Sequence, residues 1–405
     1  MNPYQLTEEE FQRALALRRD LHMHPELSGR EVRTTAKLRE FFAALPMFRI
    51  LAVPVETGLV LQLPGSGQGP EIMLRADIDA LPQQEQYESL WRSQTDGVMH
   101  ACGHDLHTAA LAGAALVLAR LHGGGSLPGT VDLVFQSAEE ETTGAKALLD
   151  AGLFDRIHPD FCFGLHNWPS VPTGSVVCRE GAVMAAKKNF EIRIHGFGGH
   201  GSMPQLNIDP IVCSAAVIQS LQTVVSRNMD PREAVVLSVN SMEGGSAANL
   251  VVEDATLRAT VRALSESAMT RAAERIEAIV TNTAAAYECR SEIVWHEDIA
   301  AVWNAPEITV RARHCAEAAG LALTNAPPSL ASEDFSLYRA HVPSFFYWVG
   351  STAPGERGEE LHRPLFHADD NALRCAAALY AASAVESQLY NQNMKTGGIS
   401  HGQAH

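Results

Sequence analysis

The sequence predicts an α/β protein: a discontinuous catalytic domain built on a mixed sheet, carrying an inserted ferredoxin-like α+β domain. Apolar strands alternate with helices at both ends of the chain, a self-contained β-α-β-β-α-β run lies between them, and the strand pattern changes where one gives way to the other. A chain of 405 residues also exceeds what one core usually holds.

From Glu8 to Leu45 the apolar spacing is helical, broken at "HMHPELSG", where Pro25 and Gly29 mark a turn. Two apolar runs, 58–63 and 71–74, joined by "PGSGQGP", read as strand-turn-strand. Asp105 or Thr108 is positioned to cap an alanine- and leucine-rich helix that ends at Gly123 to Gly125. "TVDLVFQ" then reads as a buried strand ending at "SAEEE", and "FCFGLHNW" as another carrying His166. These elements make residues 1–185 the first part of the catalytic domain.

Near Ala186 the pattern changes, because "KKNFEIRIHG" alternates apolar and polar residues as a half-buried strand does. A helix (208–226), strands "AVVLSVN" and "ATLRATVRAL", a helix (266–287) and strand "SEIVWHE" complete the ferredoxin-like order, assigned to 186–299. Residues 300–390 return to the α/β pattern through helix 306–319, the "SEDFS" loop, strand "SFFYWVG", the "HRPLFHADD" loop and a closing helix. The polar, glycine-rich stretch 391–405 reads as a frayed tail.

Composition narrows the partners. A net charge of -16 repels phosphate backbones and anionic lipid, which excludes a nucleic-acid footprint and leaves small molecules or protein surfaces. The start, "MNPYQLTEEEF", lacks the basic and apolar regions of a secretory signal, and no window approaches the roughly 18 apolar residues that span a bilayer. The expected location is cytoplasmic, with no membrane partner. Seven cysteines without a CxxC pair argue against a disulfide framework, and most read as small core residues. Cys102 is the exception, set among His100, His104, Asp105 and His107 in "MHACGHDLHTA".

In open α/β sheets ligands bind beyond the carboxyl ends of the strands. There the predicted strands deliver Asp77 and Asp79 ("RADIDALP"), Glu139 and Glu140 ("FQSAEE") and His166, while loops supply Cys102, His104 and His367. Thiolate, imidazole and carboxylate together suit manganese, zinc, cobalt or nickel, bound as one or two ions, rather than calcium or magnesium. Adjacent glutamates divide the work: one binds metal and the other takes a proton from water. Each piece alone has a plain reading as helix cap, solvated turn or surface histidine. A Cys102 nucleophile with a neighbouring histidine as base is the rival reading, and it leaves the paired glutamates unexplained.

The motifs "HACGHDLHTA", "FQSAEE", "LHNWP", "GGHGSMP", "SEDFS" and "LHRPLFHADD", in this order, resemble the metal-dependent aminoacylase and carboxypeptidase superfamily. The cysteine in the first motif resembles the branch of hippurate hydrolases, auxin-conjugate hydrolases and N-acyl amino acid amidohydrolases. That resemblance implies metal ligands Cys102, His104, Glu140, His166 and His367, with Glu139 as general base. It implies that His200 helps stabilise the oxyanion, that Asn249 and Arg262 hold the substrate's carboxylate end, and that the inserted domain is a lid forming a homodimer or higher homo-oligomer. Arg75 stands where peptidase cousins have a metal-binding histidine, so Asp77 and Asp79 read as supports that orient the ligands, and Asp105 reads as a helix cap or a further support of this kind. Ser137 and Ala331 depart from the family's usual proline and glycine without touching a ligand.

The expected activity is hydrolysis of the amide of N-acyl amino acids by metal-activated water, with hippurate-like aromatic acyl groups as the first expectation. The alternative is an N-acetyl amino acid or diamino acid deacetylase, or a dipeptidase. His100 is left without a role.

Overall fold

The computed structural model describes residues 2–125 and 127–396, and they form two compact units. The first comprises residues 1–181, 303–326 and 337–405; the second comprises 182–302 and 327–336. Of the polar tail expected over 391–405, the backbone to Thr396 continues the last helix, and the rest lies outside the described residues.

Helices α1 (Glu8–Met23) and α2 (Val32–Ala43) open the first unit. Its sheet holds β1 (Arg49–Ile50), β2 (Leu59–Leu63), β3 (Ile72–Asp77), β4 (Val131–Gln136), β5 (Phe161–Pro172), β6 (Ser175–Val177), β15 (Ala322–Thr324) and β16 (Ser344–Thr352), in the order β1-β2-β4-β3-β5-β16-β6-β15. It is mixed: β3 runs parallel to β4 and β5, and β5 to β16, whereas β2 pairs antiparallel with β4. The expected strand-turn-strand unit is therefore corrected, since β4 lies between β2 and β3 and bonds to both. Every residue of β3 and β4 is buried, so both need neighbours along both edges, which a two-stranded hairpin does not supply.

Helices α3 (His104–Gly123), α4 (Gly144–Asp150), α7 (Pro306–Ala318) and α8 (Asp370–Thr396) complete this unit. Helix α3 is buried along nearly its whole length, and its alanines let α8 and α1 pack close. By length and composition it would cross a bilayer, contrary to the sequence-based expectation. Its buried surface identifies it as a core helix.

The chain leaves the first unit near β7 (Gly181–Met184) and returns at β14 (Val302–Asn304). In between, β8 (Ala186–His195), α5 (Pro210–Thr223), β10 (Val235–Glu243), β12 (Asp254–Ala263), α6 (Glu266–Ala286) and β13 (Arg290–Ile299) follow the β-α-β-β-α-β order. Their antiparallel sheet has the order β10-β12-β8-β13, and both helices pack on it around Phe190, Ile192, Leu257 and Ile276. A two-stranded ladder of β9 (Gly199–His200) and β11 (Leu250–Val251) extends from this unit.

Candidate metal centre

Strands β3, β4 and β5 are parallel, so their carboxyl ends open onto one edge of the sheet. After β4, Ala138 takes a left-handed φ of 53°, and its N–H donates to the buried Glu31 carboxylate at 2.9 Å. A left-handed alanine is a strained conformation held by its surroundings. It places Glu139 and Glu140 at the turn, where the Glu140 N–H donates to Asp79 Oδ2 at 3.0 Å.

Gly103 makes the second corner. Its φ is 87°, and a Cβ there would lie 2.2 Å from Asn167 Oδ1. Only glycine fits both demands. The corner sets Cys102 before α3 and His104 at its first turn. Asn167 Nδ2 donates to the Cys102 carbonyl at 2.7 Å, tying the corner to β5.

The donor atoms converge. Cys102, His104 and His166 offer ligand atoms within 4.8 Å of one another, as do Cys102, Glu140 and His362, and likewise His104, Glu139 and Glu140. Cys102 Sγ lies 3.2 Å from His166 Nε2 and 3.3 Å from His362 Nε2, and Glu140 Oε1 lies 3.4 Å from the latter. His104 Nε2 is 4.0 Å from Glu139 Oε2 and 3.9 Å from Glu140 Oε1.

His367, expected as a ligand, is not in this cluster. Its ring lies flat on Tyr87 with centroids 4.1 Å apart, and its Nδ1 faces the Leu365 carbonyl at 3.1 Å. The imidazole that reaches the cluster is His362, from the same "LHRPLFHADD" loop. Its backbone turns at a left-handed φ of 61°, and its N–H donates to the Ala101 carbonyl at 2.9 Å, which anchors the loop beside Cys102. Residue type and motif membership do not separate the two histidines; the turn does.

Neighbouring carboxylates orient the imidazoles. Nδ1 of His104 faces Asp79 Oδ1 at 3.1 Å, leaving its buried Nε2 with no hydrogen-bond partner among the described residues. Asp79 also accepts from Ser28 Oγ at 2.7 Å. His107 receives the Asn167 N–H on Nε2 at 2.8 Å, so its proton sits on Nδ1, which donates to Asp77 Oδ1 at 2.6 Å. Arg75 donates to the other Asp77 oxygen at 2.7 Å. His166 Nδ1 donates to the Asn167 carbonyl at 2.7 Å, which leaves its Nε2 lone pair toward Cys102.

Asp105 neither caps α3 nor reaches the cluster. The cap residue is Gly103, without a side-chain bond, and Thr108 donates to the Asp77 and His104 carbonyls at 3.0 and 2.7 Å. Asp105 accepts instead from Arg18 Nε at 3.1 Å and faces His22 Nδ1 at 3.1 Å, while His22 Nε2 lies 3.2 Å from Glu85. This buried network, unforeseen from the sequence, fastens α1 to the start of α3. His100 is buried beside it with neither ring nitrogen hydrogen-bonded among the described residues, and burial pushes its pKa down to about 4.

Negative charge is in surplus. Burial opposes a charged His104, yet Asp77, Asp79 and Glu140 outweigh it and raise its pKa to about 10. Burial pushes the Cys102 thiol well above its ordinary range, and Glu140, Glu139 and Asp77 push it further. Burial, then His107, holds His166 well below the usual histidine value, hence neutral. A divalent cation fits: displacing the His104 proton, it would take the Nε2 lone pairs of His104 and His166, neutralise the carboxylates and stabilise the thiolate.

In the second unit, His200 and Asn249 are brought side by side, because His200 pairs with Leu250 and the Asn249 carbonyl accepts the Gly201 N–H at 2.9 Å. Both are exposed. The His200 Nδ1 accepts the Ser202 N–H at 3.2 Å, which puts its proton on Nε2. Arg262 Nη1 donates to the Leu330 carbonyl at 2.9 Å, and burial lowers its pKa.

A mixed α/β sheet with a thiol, imidazole and carboxylate cluster at its strand ends defines a metal-dependent hydrolase. The chain belongs to Peptidase family M20/M25/M40, whose model matches residues 73–386, and is a metal-dependent amidohydrolase of that family. It is 38% identical over 374 residues to the N-acetylcysteine deacetylase of Bacillus subtilis, covering 92% of this chain and 96% of that one. It is 34% identical to the N-acetyldiaminopimelate deacetylase of Priestia megaterium, covering 92% and 97%. Among solved structures, the Bacillus subtilis YXEP protein, a dinuclear metal-binding peptidase of the M20 family, superposes with a TM-score of 0.82 at 35% identity, covering 94% of this chain and 99% of that one.

Proposed function

We propose that this protein removes a short acyl group, acetyl foremost, from an N-acyl amino acid. The observation that carries the reading is the convergence of Cys102, His104, Glu140, His166 and His362 beside Glu139. Relatives named as deacetylases favour a small acyl group over the aromatic one first expected from the sequence.

Cys102, His104 and His166 would hold one ion, and Cys102, Glu140 and His362 a second. When bound, the ions would supply Lewis acidity toward the amide carbonyl and toward water. Glu139 takes the proton from the attacking water and delivers it to the departing nitrogen, so that the amine leaves neutral. Asp79 and Asp77 hold His104 and His107 in their tautomers, Asp79 directly on a ligand ring. Asn167 keeps the Cys102 corner closed.

His200 is assigned to oxyanion stabilisation, and Asn249 and Arg262 to the substrate's carboxylate end. The second unit is assigned to homodimer formation, supported by exposed Phe197 (61%), Leu206 (63%) and Leu250 (57%). Light scattering on wild type and Leu250→Asp tests this, with a monomeric wild type as the refuting result. For the activity, kcat/KM is measured on N-acetyl, N-hexanoyl and N-benzoyl amino acids with manganese, zinc or cobalt. N-acetyl substrates should lead, and absence of metal-dependent turnover on all of them overturns the reading.

A further inference from the structure

His107 lies in the first turn of α3, three residues after His104, and is wholly buried. With Asp77 and His104 it offers ligand atoms within 4.8 Å of one another, the spacing of a further metal ligand. Its hydrogen bonds exclude that role. Nε2 accepts the Asn167 N–H at 2.8 Å and Nδ1 donates to Asp77 Oδ1 at 2.6 Å, so neither nitrogen has a lone pair to give.

The ring reaches the metal cluster through Asn167 instead. Asn167 makes three bonds: its N–H goes to His107, its carbonyl accepts from His166 Nδ1 at 2.7 Å, and its Nδ2 donates to the Cys102 carbonyl at 2.7 Å. One residue of β5 therefore fixes the backbone of Cys102 and the ring of His166. His107 also packs edge-on against that ring, with centroids 4.6 Å apart at 74°. Behind His107 the bonds continue into the sheet, where the other Asp77 oxygen accepts from Arg75 Nη1 at 2.7 Å and both side chains are buried.

We propose that His107 is a positioning residue of the metal centre: by accepting the Asn167 N–H it sets the spacing of Cys102 and His166, whose donor atoms stand 3.2 Å apart. The inference rests on the reading of those two side chains as ligands. Asp77 contributes by keeping the proton on Nδ1, because a proton on Nε2 would face the Asn167 N–H and break the link.

Substitution separates the two ends of the imidazole. In His107→Gln the side-chain amide reaches the place of Nε2 and offers its oxygen to the Asn167 N–H. In His107→Asn it reaches the place of Nδ1 and serves Asp77 alone. Wild type and both variants are titrated with cobalt(II). A coordinating thiol is deprotonated, and the cobalt-bound thiolate is read by its charge-transfer absorption in the near ultraviolet. His107→Asn should raise the cobalt Kd about 10- to 100-fold and weaken or shift the band, as loss of an outer support does, and His107→Gln should recover most of both. Asn167→Ala removes the next link and should match His107→Asn, and it stands in where that variant does not fold. A merely structural role predicts a lower metal-free Tm with an unaltered band. An unaltered band and Kd in His107→Asn or in Asn167→Ala, or a His107→Gln as impaired as His107→Asn, overturns the proposal. A wild type without the band overturns the ligand reading and this inference with it, whereas a wild-type band insensitive to residue 107 overturns the inference alone.

Discussion

Cys102 Sγ and His166 Nε2 stand 3.2 Å apart, brought together from α3's leading corner and the middle of β5. The contact pairs a thiol with a base, the geometry of a cysteine nucleophile, but the charges run the wrong way. Reactive thiols have lowered pKa values beside positive groups, whereas burial and three carboxylates raise this one and His166 is neutral. A chelator should therefore abolish turnover reversibly, with manganese, zinc or cobalt restoring it, while iodoacetamide leaves the metal-loaded enzyme active. Alkylation that inhibits irreversibly, with indifference to chelator, would return Cys102 to the nucleophile's role.

Replacing the two histidines of one loop separates ligand from neighbour. His362→Ala should lower metal content and reduce kcat/KM by more than the roughly 10- to 100-fold typical of outer supports. His367→Ala, which loses the Tyr87 stack and the contact with the Leu365 carbonyl, should keep its full metal content. Metal analysis of both variants decides, and the reverse pattern would make His367 the ligand.

Glu139→Gln should bind metal as wild type does and lose about 10²- to 10⁴-fold in kcat, the usual worth of a positioned acid-base group. If kcat holds and only metal affinity falls, Glu139 is a ligand and not the base.

Gly103→Ala should cost about 1–2 kcal/mol for its left-handed backbone, and more because the methyl displaces Asn167. The Asn167–Cys102 bond then breaks, so metal affinity should fall together with Tm. A Tm loss without an affinity loss would show that the corner serves folding alone.

Far from the metal cluster, burial and the facing Glu71 raise the pKa of Asp132 to about 8. An acid whose folded pKa exceeds its unfolded value of about 4 contributes stability below pH 4, and that contribution is lost progressively as pH rises through about 8. Asp132→Asn should flatten this decline, so thermal melts at pH 5 and pH 8 should differ less than in wild type. An unchanged difference would place the pH dependence elsewhere.

Legibility followed the range of the forces involved. Glu139, Glu140 and His166 could be read because each sits in or just after an apolar strand, and parallel strands deliver their ends to one edge. The ferredoxin-like order could be read for the same reason. Asp105 misled because a capping residue and an ion-pair partner look alike in sequence, and only the arrival of Arg18 and His22 from α1 distinguishes them. The separation of β2 from β3 by β4 was equally hidden, since short linkers between apolar runs imply hairpins unless a later strand competes for the edge.

By itself, the sequence determined the periodicities, the strand-end donors and the soft-to-hard mixture of thiol, imidazole and carboxylate that selects transition metals. Those properties are local or additive. Tertiary structure decided which histidine of "LHRPLFHADD" faces Cys102, which nitrogen of each imidazole is free, and how far the thiol is held from its anion. These depend on a left-handed turn at His362, on hydrogen bonds to Asp79, Asn167 and Ala101, and on burial beside carboxylates from separate strands, none of which exists until the chain has closed.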